Sequence, residues 1–393
     1  MAPNDAFRSL DELTLAHQRV LIRVDFDVPL DADGRVASDR KLRAALPTIN
    51  KALKEGARVV LATHLGAEDD PVVSLEPVAE RLAELLGQEV YLPDECVGDA
   101  ARKVVSDLRE GQLCLLENLR FAREESQNEE FFARKLLALC DVYVGEAFGC
   151  AHLTQASLIA LPRLVKERGI GYRFRAELDA LTRVTQGAQK PFVGILGGEK
   201  LSQALPMLEA MMSRCSSILV GGGVANTLLA ARSVDMKESS IEKDQLALAR
   251  NVLTRARNYN IDLVLPVDVL VGDDKQASES QSVSVGSIPD GTGAFDIGTR
   301  TLDVYRTRVA EAKLVLWHGA LGVCENPVFA VGTQGLLGAI GESPAYGIVT
   351  GDSVSAATSS ELESKIGFVS TGGVASLVFI EGKKLPGAVA LSG

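Results

Sequence analysis

The stretch PFVGILGGEKLS, Pro191 to Ser202, followed by SILVGGGVANTLL, Ser217 to Leu229, decides how the chain is read. Each is a short apolar run, then glycines, then a pattern that starts a helix. VGIL and ILV are too short for a helix and apolar on both faces, as a buried parallel strand must be. Glycines at the carboxyl end of such a strand let a ligand approach the backbone. The next helix adds unpaired N–H groups and a positive dipole end. Two such turns in succession point to a flat, partly anionic ligand such as a nucleotide. Strand–helix connections also use glycine simply to turn, so one turn alone would say little. The spacing G-x-G-x-x-G is absent from both, which argues against a dinucleotide site.

Outward from this centre the alternation continues in both directions. Upstream lie RVLIRVDF from Arg19 to Phe26, RVVLATHLG from Arg58 to Gly66, LCLLENLRF, DVYVGEAFG and the apolar LIALP, each read as a further strand. Asp39 reads as the cap of a helix ending near Gly56, and SLEPVAERLAELLGQ as an amphipathic helix stopped at Gly87. Downstream come DLVLPVDVLV from Asp262 to Val271, KLVLWHGALGV, YGIVTGDSVSAA and GFVSTGGVASLVF, with a turn-rich segment of short surface strands before KLVLWHGALGV. Strand–helix alternation at this spacing predicts parallel sheets with right-handed crossovers. The polar stretch ELDALTRVTQGAQK, Glu177 to Lys190, reads as an exposed helix and connector between two halves. The fold class expected is therefore α/β, with two doubly wound, Rossmann-like lobes joined by a hinge helix and ligands at the strands' carboxyl ends.

Composition bounds the function. A chain of 393 residues exceeds one ordinary core. With 46% hydrophobic and 24% charged residues it has the composition of a water-soluble α/β protein. The net charge of −11 argues against nucleic acid or an anionic membrane as partner. The start, MAPNDAFRSLDEL, reads as no signal peptide, and no apolar run reaches the roughly 18 residues that span a bilayer. Cys96, Cys114, Cys140, Cys150, Cys215 and Cys324 form no C-x-x-C pair, so reduced thiols in cytoplasm are expected.

The segments RVDFDVPL, LRAALPTI, THLG, LLENLRF, ILGGEK, GGGVANT, LPVDV, GDS and EGKKLPG, in this order, resemble the phosphoglycerate kinase family over nearly the full chain. That resemblance implies a glycolytic phosphotransferase that moves a phosphoryl group between 1,3-bisphosphoglycerate and ADP with magnesium. It implies an acid-binding lobe over 1–175, a hinge helix over 176–190 and a nucleotide lobe over 191–378. The tail 379–393 is expected to return to the first lobe, and a monomer is expected.

By the same resemblance Gly197, Gly198, Gly221, Gly222 and Gly223 enclose the adenine, and Pro266 and Glu325 meet base and ribose. Lys200 is directed at the phosphates. Gly351, Asp352 and Ser353 form the magnesium loop, with Asp352 the metal ligand, and Gly372 and Gly373 the neighbouring turn. Hard oxygen ligands around Mg²⁺ are what phosphoryl transfer needs. His318, Ala320, Glu199 and Val374 depart from the family's asparagine, proline, alanine and glycine.

In the acid half, Asp25, His64 and Arg120 match substrate positions, with Asp27 where the family has an amide. The family's cationic cluster is thinned: Ala67 and Leu153 replace arginines, Lys41 replaces the arginine at the reacting carboxylate, and Ala204 replaces a phosphate-positioning lysine. Lys41, Lys200, Gly351 and Gly373 remain as the implied catalytic set. A trianion recognised by guanidinium forks loses both charge and geometry when these go. Arg40, Arg123, Arg173 and Arg175 are the candidate replacements, against the plainer reading that they are solvated or hinge arginines. His64, His152 and Cys150 lack a second ligand pair at metal spacing, and His152 reads as a structural hydrogen-bonding residue. Two readings follow: a phosphotransferase with ordinary turnover impaired or acting on an altered acid, or a nucleotide-binding homologue with a regulatory or assembly role.

Overall fold

The strand at the centre of the sequence, Phe192–Leu196, is buried at every position, as a strand with parallel neighbours on both edges requires. The computed structural model of the protein describes residues 6–66 and 71–392. Within them the chain forms two compact units, residues 1–179 with 383–393, and residues 180–382.

The first unit carries six strands: β1 (Arg19–Arg23), β2 (Arg58–Ala62), β3 (Val90–Tyr91), β4 (Leu113–Leu115), β5 (Val142–Gly145) and β6 (Glu167–Ile170). They form one parallel sheet in the order β3-β4-β2-β1-β5-β6. Val20, Ile22, Val59, Leu61 and Val144 share its core with Leu42 and Ile49 of helix Arg40–Lys54. The last helix, Pro386–Leu391, belongs to this unit. It seats on β5 because Gly145 has no side chain; a Cβ there would lie 2.5 Å from Leu391 Cδ1.

The second unit's main sheet takes β7 (Phe192–Leu196), β8 (Ser217–Val220), β9 (Asp262–Val264), β13 (Leu314–His318), β14 (Tyr346–Thr350) and β15 (Gly367–Val369). Its order is β15-β14-β13-β7-β8-β9, all parallel. A smaller antiparallel sheet, in the order β11-β10-β12, comprises β10 (Asp268–Gly272), β11 (Gln281–Ser284) and β12 (Gly293–Ile297). In the main sheet the order reverses between β7 and β13, and in the first sheet between β1 and β5. A doubly wound sheet opens a crevice at such a switch point. Trp317 and Tyr305 are fully buried in the second core. Tyr305 Oη donates to Val220 O at 2.7 Å, and Trp317 Nε1 to Gly319 O at 2.7 Å, which fixes the turn after β13.

Several local expectations are corrected. LIALP is not a strand: Ala160–Leu164 is helical, with Pro162 in the first turn where its missing N–H is not needed. The neighbouring strand is ERGI, β6, whose charged start hides it from a hydrophobicity reading. RVLIRVDF ends as a strand at Arg23, and DLVLPVDVLV breaks at Leu265–Val267 to serve two different sheets. Asp39 precedes its helix without a side-chain cap bond; its carboxylate is taken by Arg43 at 2.9 Å and Arg81 at 2.6 Å, the stronger charge-assisted partners. The connecting helix runs over Tyr172–Thr185, five residues earlier than its polar pattern suggests. Its Leu178, Leu181 and Val184 are buried, so only one face is exposed.

Candidate functional site

In the second unit, turns after β7, β8 and β13 close on one another through backbone. Gly197 N donates to His318 O at 2.8 Å, and Gly198 N to Ala320 O at 2.8 Å. A Cβ on Gly197 would sit 2.0 Å from Ala320 O, one on Gly223 2.0 Å from Glu199 O, and one on Gly221 2.6 Å from the Leu321 side chain. These glycines let turn pack against turn. Gly198, at φ +110, differs: no atom lies within 4 Å of its would-be Cβ.

Beside these turns opens a cavity of about 840 Å³, lined by Gly198, Gly222, Gly223, Pro266, Glu325 and Ser353. Its volume falls within the range of small-molecule sites. Gly197, Gly221, His318 and Gly351 stand behind it as turn structure, outside the lining. Ser353 Oγ accepts from Ala320 N at 3.2 Å, joining the wall to helix Asp352–Ala356. Asp352 is exposed at the first position of that helix. Lys200 is exposed just before helix Leu201–Met212, and Ala204 is buried within it. Gly373, at φ +47, begins helix Gly373–Ile380, and Val374 beside it is exposed.

Hydrogen-bond direction settles the state of His318. The Thr350 hydroxyl donates to Trp317 O, so His318 Nδ1, 3.1 Å from Thr350 Oγ1, must be the donor there. Burial keeps the ring's pKa below the usual histidine value, although Asp352 works against it.

Among the cavity residues that sequence reasoning missed, four carry polar groups with defined partners. Lys275 forms an ion pair with Glu199 at 2.9 Å, both on the lining, and this pair holds the Glu199 carboxyl below its usual value. Asn326 Nδ2 donates to Lys275 O at 3.1 Å and Ala277 O at 2.9 Å, pinning the loop after β10. Asn226 donates to Ala294 O at 3.3 Å. Asp296 accepts from Ile297 N at 2.8 Å and Gly332 N at 2.7 Å, and burial pushes its carboxyl up to about 7. Asn226, inside GGGVANT, and Asn326, directly after Glu325, lay close enough to a motif to be found.

The first unit's site gathers at the carboxyl ends of β1 and β2. Lys41 Nζ meets Asp25 Oδ1 at 3.0 Å, so two expected ligand residues pair with each other. Burial works against the Lys41 ammonium, but Asp25 outweighs it and the pKa lies above the usual lysine value. Asp27 Oδ1 accepts from Gly66 N at 3.0 Å. Arg120 is held through its backbone N, 3.1 Å from Asn118 Oδ1, while its Nε is buried with no hydrogen-bond partner among the described residues.

His64 is buried, and its Nδ1 lies 2.9 Å from Nη2 of Arg23, a fully buried guanidinium. Burial first, and then Arg23, Arg120 and Lys41, push the imidazole down to about 2. Arg23 is the residue beside His64 that the motif reading passed over. The available signal was a charge at the end of an otherwise apolar strand, which burial forces to find partners.

Two of the candidate replacement arginines are engaged elsewhere. Arg173 pairs with the fully buried Glu177 at 2.6 Å, and Arg175 Nη2 donates to Phe7 O at 3.2 Å. Arg123 is exposed on the short helix Arg123–Ser126, and Arg40 is half-buried at the start of its helix. Leu153 packs on the apolar cluster of Cys150, Leu158, Ile159 and Ala390. Ala67 lies outside the described residues. His152 Nδ1 bonds Gly149 O at 2.9 Å, and burial pushes the Cys150 thiol up to about 12. Among the described residues no three His, Cys, Asp or Glu are grouped to hold a metal.

A sequence model of the family described as phosphoglycerate kinase matches residues 10–383. The phosphoglycerate kinase of Anaeromyxobacter sp. (strain Fw109-5) is 46% identical over 395 residues, covering 99% of this chain and 100% of the relative. That of Microcystis aeruginosa is 41% identical over 399 residues, covering 99% of each. Among solved structures, phosphoglycerate kinase from Coxiella burnetii superposes with a TM-score of 0.84 at 34% identity, covering 98% of both chains. The enzyme from Pyrococcus horikoshii OT3 gives 0.85 at 31% identity, again over 98% of both chains.

Proposed function

This chain belongs to the phosphoglycerate kinase family, and on that premise we propose that it is a nucleotide-dependent phosphotransferase whose ordinary turnover is impaired. The nucleotide is ADP or ATP, held in the 840 Å³ cavity of the second unit. Gly198 leaves room for the base against the backbone, and the Glu325 carboxylate suits two ribose hydroxyls. Lys200 and the start of helix Asp352–Ala356 serve the phosphates. Asp352 is an exposed hard-oxygen donor without an ion pair among the described residues, which fits magnesium held by one carboxylate and substrate phosphates. Bound there, magnesium would neutralise phosphate charge during transfer.

The acid partner is 3-phosphoglycerate or a less anionic carboxylic acid. The single observation that carries the impairment is the Lys41–Asp25 pair at 3.0 Å. The cation at the reacting carboxylate is already committed, while Leu153 presents carbon to its neighbours. Arg120 and the His64 ring remain to meet an anion, with Arg23 fully buried behind His64 and bonded at all three nitrogens. Removing one preorganised donor to a transition-state oxygen costs about 10²–10³ in rate, and Lys41 and Ala204 concern the same transferring group, so their effects need not add. Transfer also calls for acid and nucleotide to meet, and closure about helix Tyr172–Thr185 is the motion this reading requires.

The occupied Lys41 also favours a second reading, a nucleotide-binding homologue with little catalysis and a regulatory or assembly role. A coupled assay with 3-phosphoglycerate and ATP, run beside calorimetry with Mg–ADP, separates the two. Binding with slow turnover is expected. Binding with no turnover on any small carboxylic acid selects the second reading, and no binding at millimolar nucleotide overturns both.

A further inference from the structure

Arg23 is fully buried at the end of β1, and no carboxylate among the described residues pairs with it directly. A guanidinium N–H can only donate. Nη1 donates to Val24 O at 2.5 Å, Nη2 to His64 Nδ1 at 2.9 Å, and Nε to Ser157 Oγ at 2.8 Å. These three bonds fix the protons around them. Because Ser157 Oγ accepts from Arg23, its single proton goes to Glu125 Oε1 at 2.5 Å. Ser157 N donates to the other oxygen, Oε2, at 2.9 Å, and Tyr143 Oη holds the Ser157 carbonyl at 2.9 Å. Burial raises the Glu125 carboxyl, while Arg23 and the two Ser157 donors work against it. Both its oxygens already accept, which is the arrangement of a carboxylate.

At the other end, His64 Nδ1 accepts from Arg23 and is therefore bare. A neutral ring then carries its proton on Nε2. Donation runs outward from Arg23 in two directions, to His64 on one side and through Ser157 to Glu125 on the other. Ser157, Glu125 and Arg23 are all buried.

We propose that Ser157 and Glu125 are positioning residues that act through Arg23 to fix His64 as an Nε2–H donor toward the acid. This rests on the acid site proposed above only for what the donor meets. The fixing of the ring stands on the hydrogen bonds alone. Glu125 supplies the counter-charge for a guanidinium that would otherwise be buried alone, and Ser157 transmits its direction without consuming a second carboxylate.

The test uses the full chain labelled with ¹⁵N-histidine. Only four histidines are present, and His64 is assigned by difference. Wild-type protein should show His64 with one pyrrole-type and one pyridine-type nitrogen, unchanged from pH 5 to 8. Ser157→Ala and the near-isosteric Glu125→Gln should each shift His64 toward mixed tautomers or titration in that range. They should also weaken 3-phosphoglycerate binding about tenfold by calorimetry, while Mg–ADP affinity in the second unit stays within twofold as the folding control. A His64 signature identical to wild type in both variants overturns the proposal. A changed signature in a protein that binds no 3-phosphoglycerate even as wild type upholds the positioning and instead defeats the acid reading.

Discussion

The two units solve the same problem with different material. The cavity proposed for the nucleotide is backed by main chain: three turns interlocked through Gly197, Gly221 and Gly223 hold one side of it, with Gly198 open on its lining. The site proposed for the acid is made of side chains: Arg23 is bonded to His64, Lys41 is paired with Asp25, and Arg120 is held through its backbone. A wall of backbone tolerates changes such as Glu199 or Val374, whose side chains point to solvent or pair at the rim. A site of charged side chains has no such tolerance, since every replaced cation removes both charge and direction. Loss of cations around the acid is thus the kind of divergence that alters chemistry while leaving a nucleotide site standing.

The largest effect should come from rebuilding the side-chain site. Ala67→Arg, Lys41→Arg, Leu153→Arg and Ala204→Lys together are expected to raise 3-phosphoglycerate phosphorylation by roughly 10³-fold or more, given about 10²–10³ for one donor. Each change alone should do little, because the anion must be held whole before transfer is in line. Leu153→Arg puts a charge against an apolar cluster, so an unchanged unfolding midpoint has to accompany the rate. A folded, nucleotide-binding quadruple variant with no gain would mean that the backbone of the acid site differs as well.

The backbone wall should break at a single methyl. In Gly223→Ala the new Cβ would lie 2.0 Å from Glu199 O, a clash that a main-chain atom cannot relieve alone. About 3 kcal/mol of destabilisation is expected, with loss of Mg–ADP binding. Denaturant unfolding with normal stability would show the turns to be looser than their contacts imply.

A pH effect should appear in the first unit. Glu146 is buried, accepts from Thr48 Oγ1 at 2.6 Å and Arg173 N at 3.1 Å, and is pushed by burial from 4.5 up to about 8. The folded state therefore holds this proton more tightly than the unfolded chain. Its stabilising effect is full below pH 4.5 and is lost as pH rises through 8, a change of a few kcal/mol. Glu146→Gln should flatten that decline in unfolding curves measured from pH 5 to 8. Parallel curves for the two proteins would refute the assignment.

The smallest effect concerns the metal. Asp352→Ala should weaken Mg–ADP about tenfold, some 1.4 kcal/mol, while adenosine binding stays unchanged. Equal losses for both ligands would place Asp352 in the cavity wall instead.

The same contrast explains what the sequence discloses. Apolar runs ended by glycine mark β7, β8 and β13 because a parallel core strand and a tight turn each leave a local signature. Pro266 breaks DLVLPVDVLV visibly only when two sheets compete for it, and LIALP is too short for periodicity to choose between strand and helix. Asp25, His64 and Arg120 were found because they sit in motif-like segments. Ser157 and Glu125 were not, since nothing near either in sequence shows that Arg23 will be buried beside them. A cavity residue such as Lys275 is equally silent, its partner Glu199 lying far away in sequence.

Because Leu391 fills the space over Gly145, the first unit cannot be finished when residue 179 leaves the ribosome. Roughly 200 further residues must be translated before the helix Pro386–Leu391 can dock, which at 5–20 residues per second is on the order of 10–40 s. During that interval β5 carries an apolar notch beside Ala147, Ala151 and Leu158, the walls that later close around Leu391 and Arg23. The nascent chain therefore completes the second unit while the first still waits for its closing helix. A chaperone that shields apolar notches would find its substrate in that window, and truncation before Pro386 would make the window permanent.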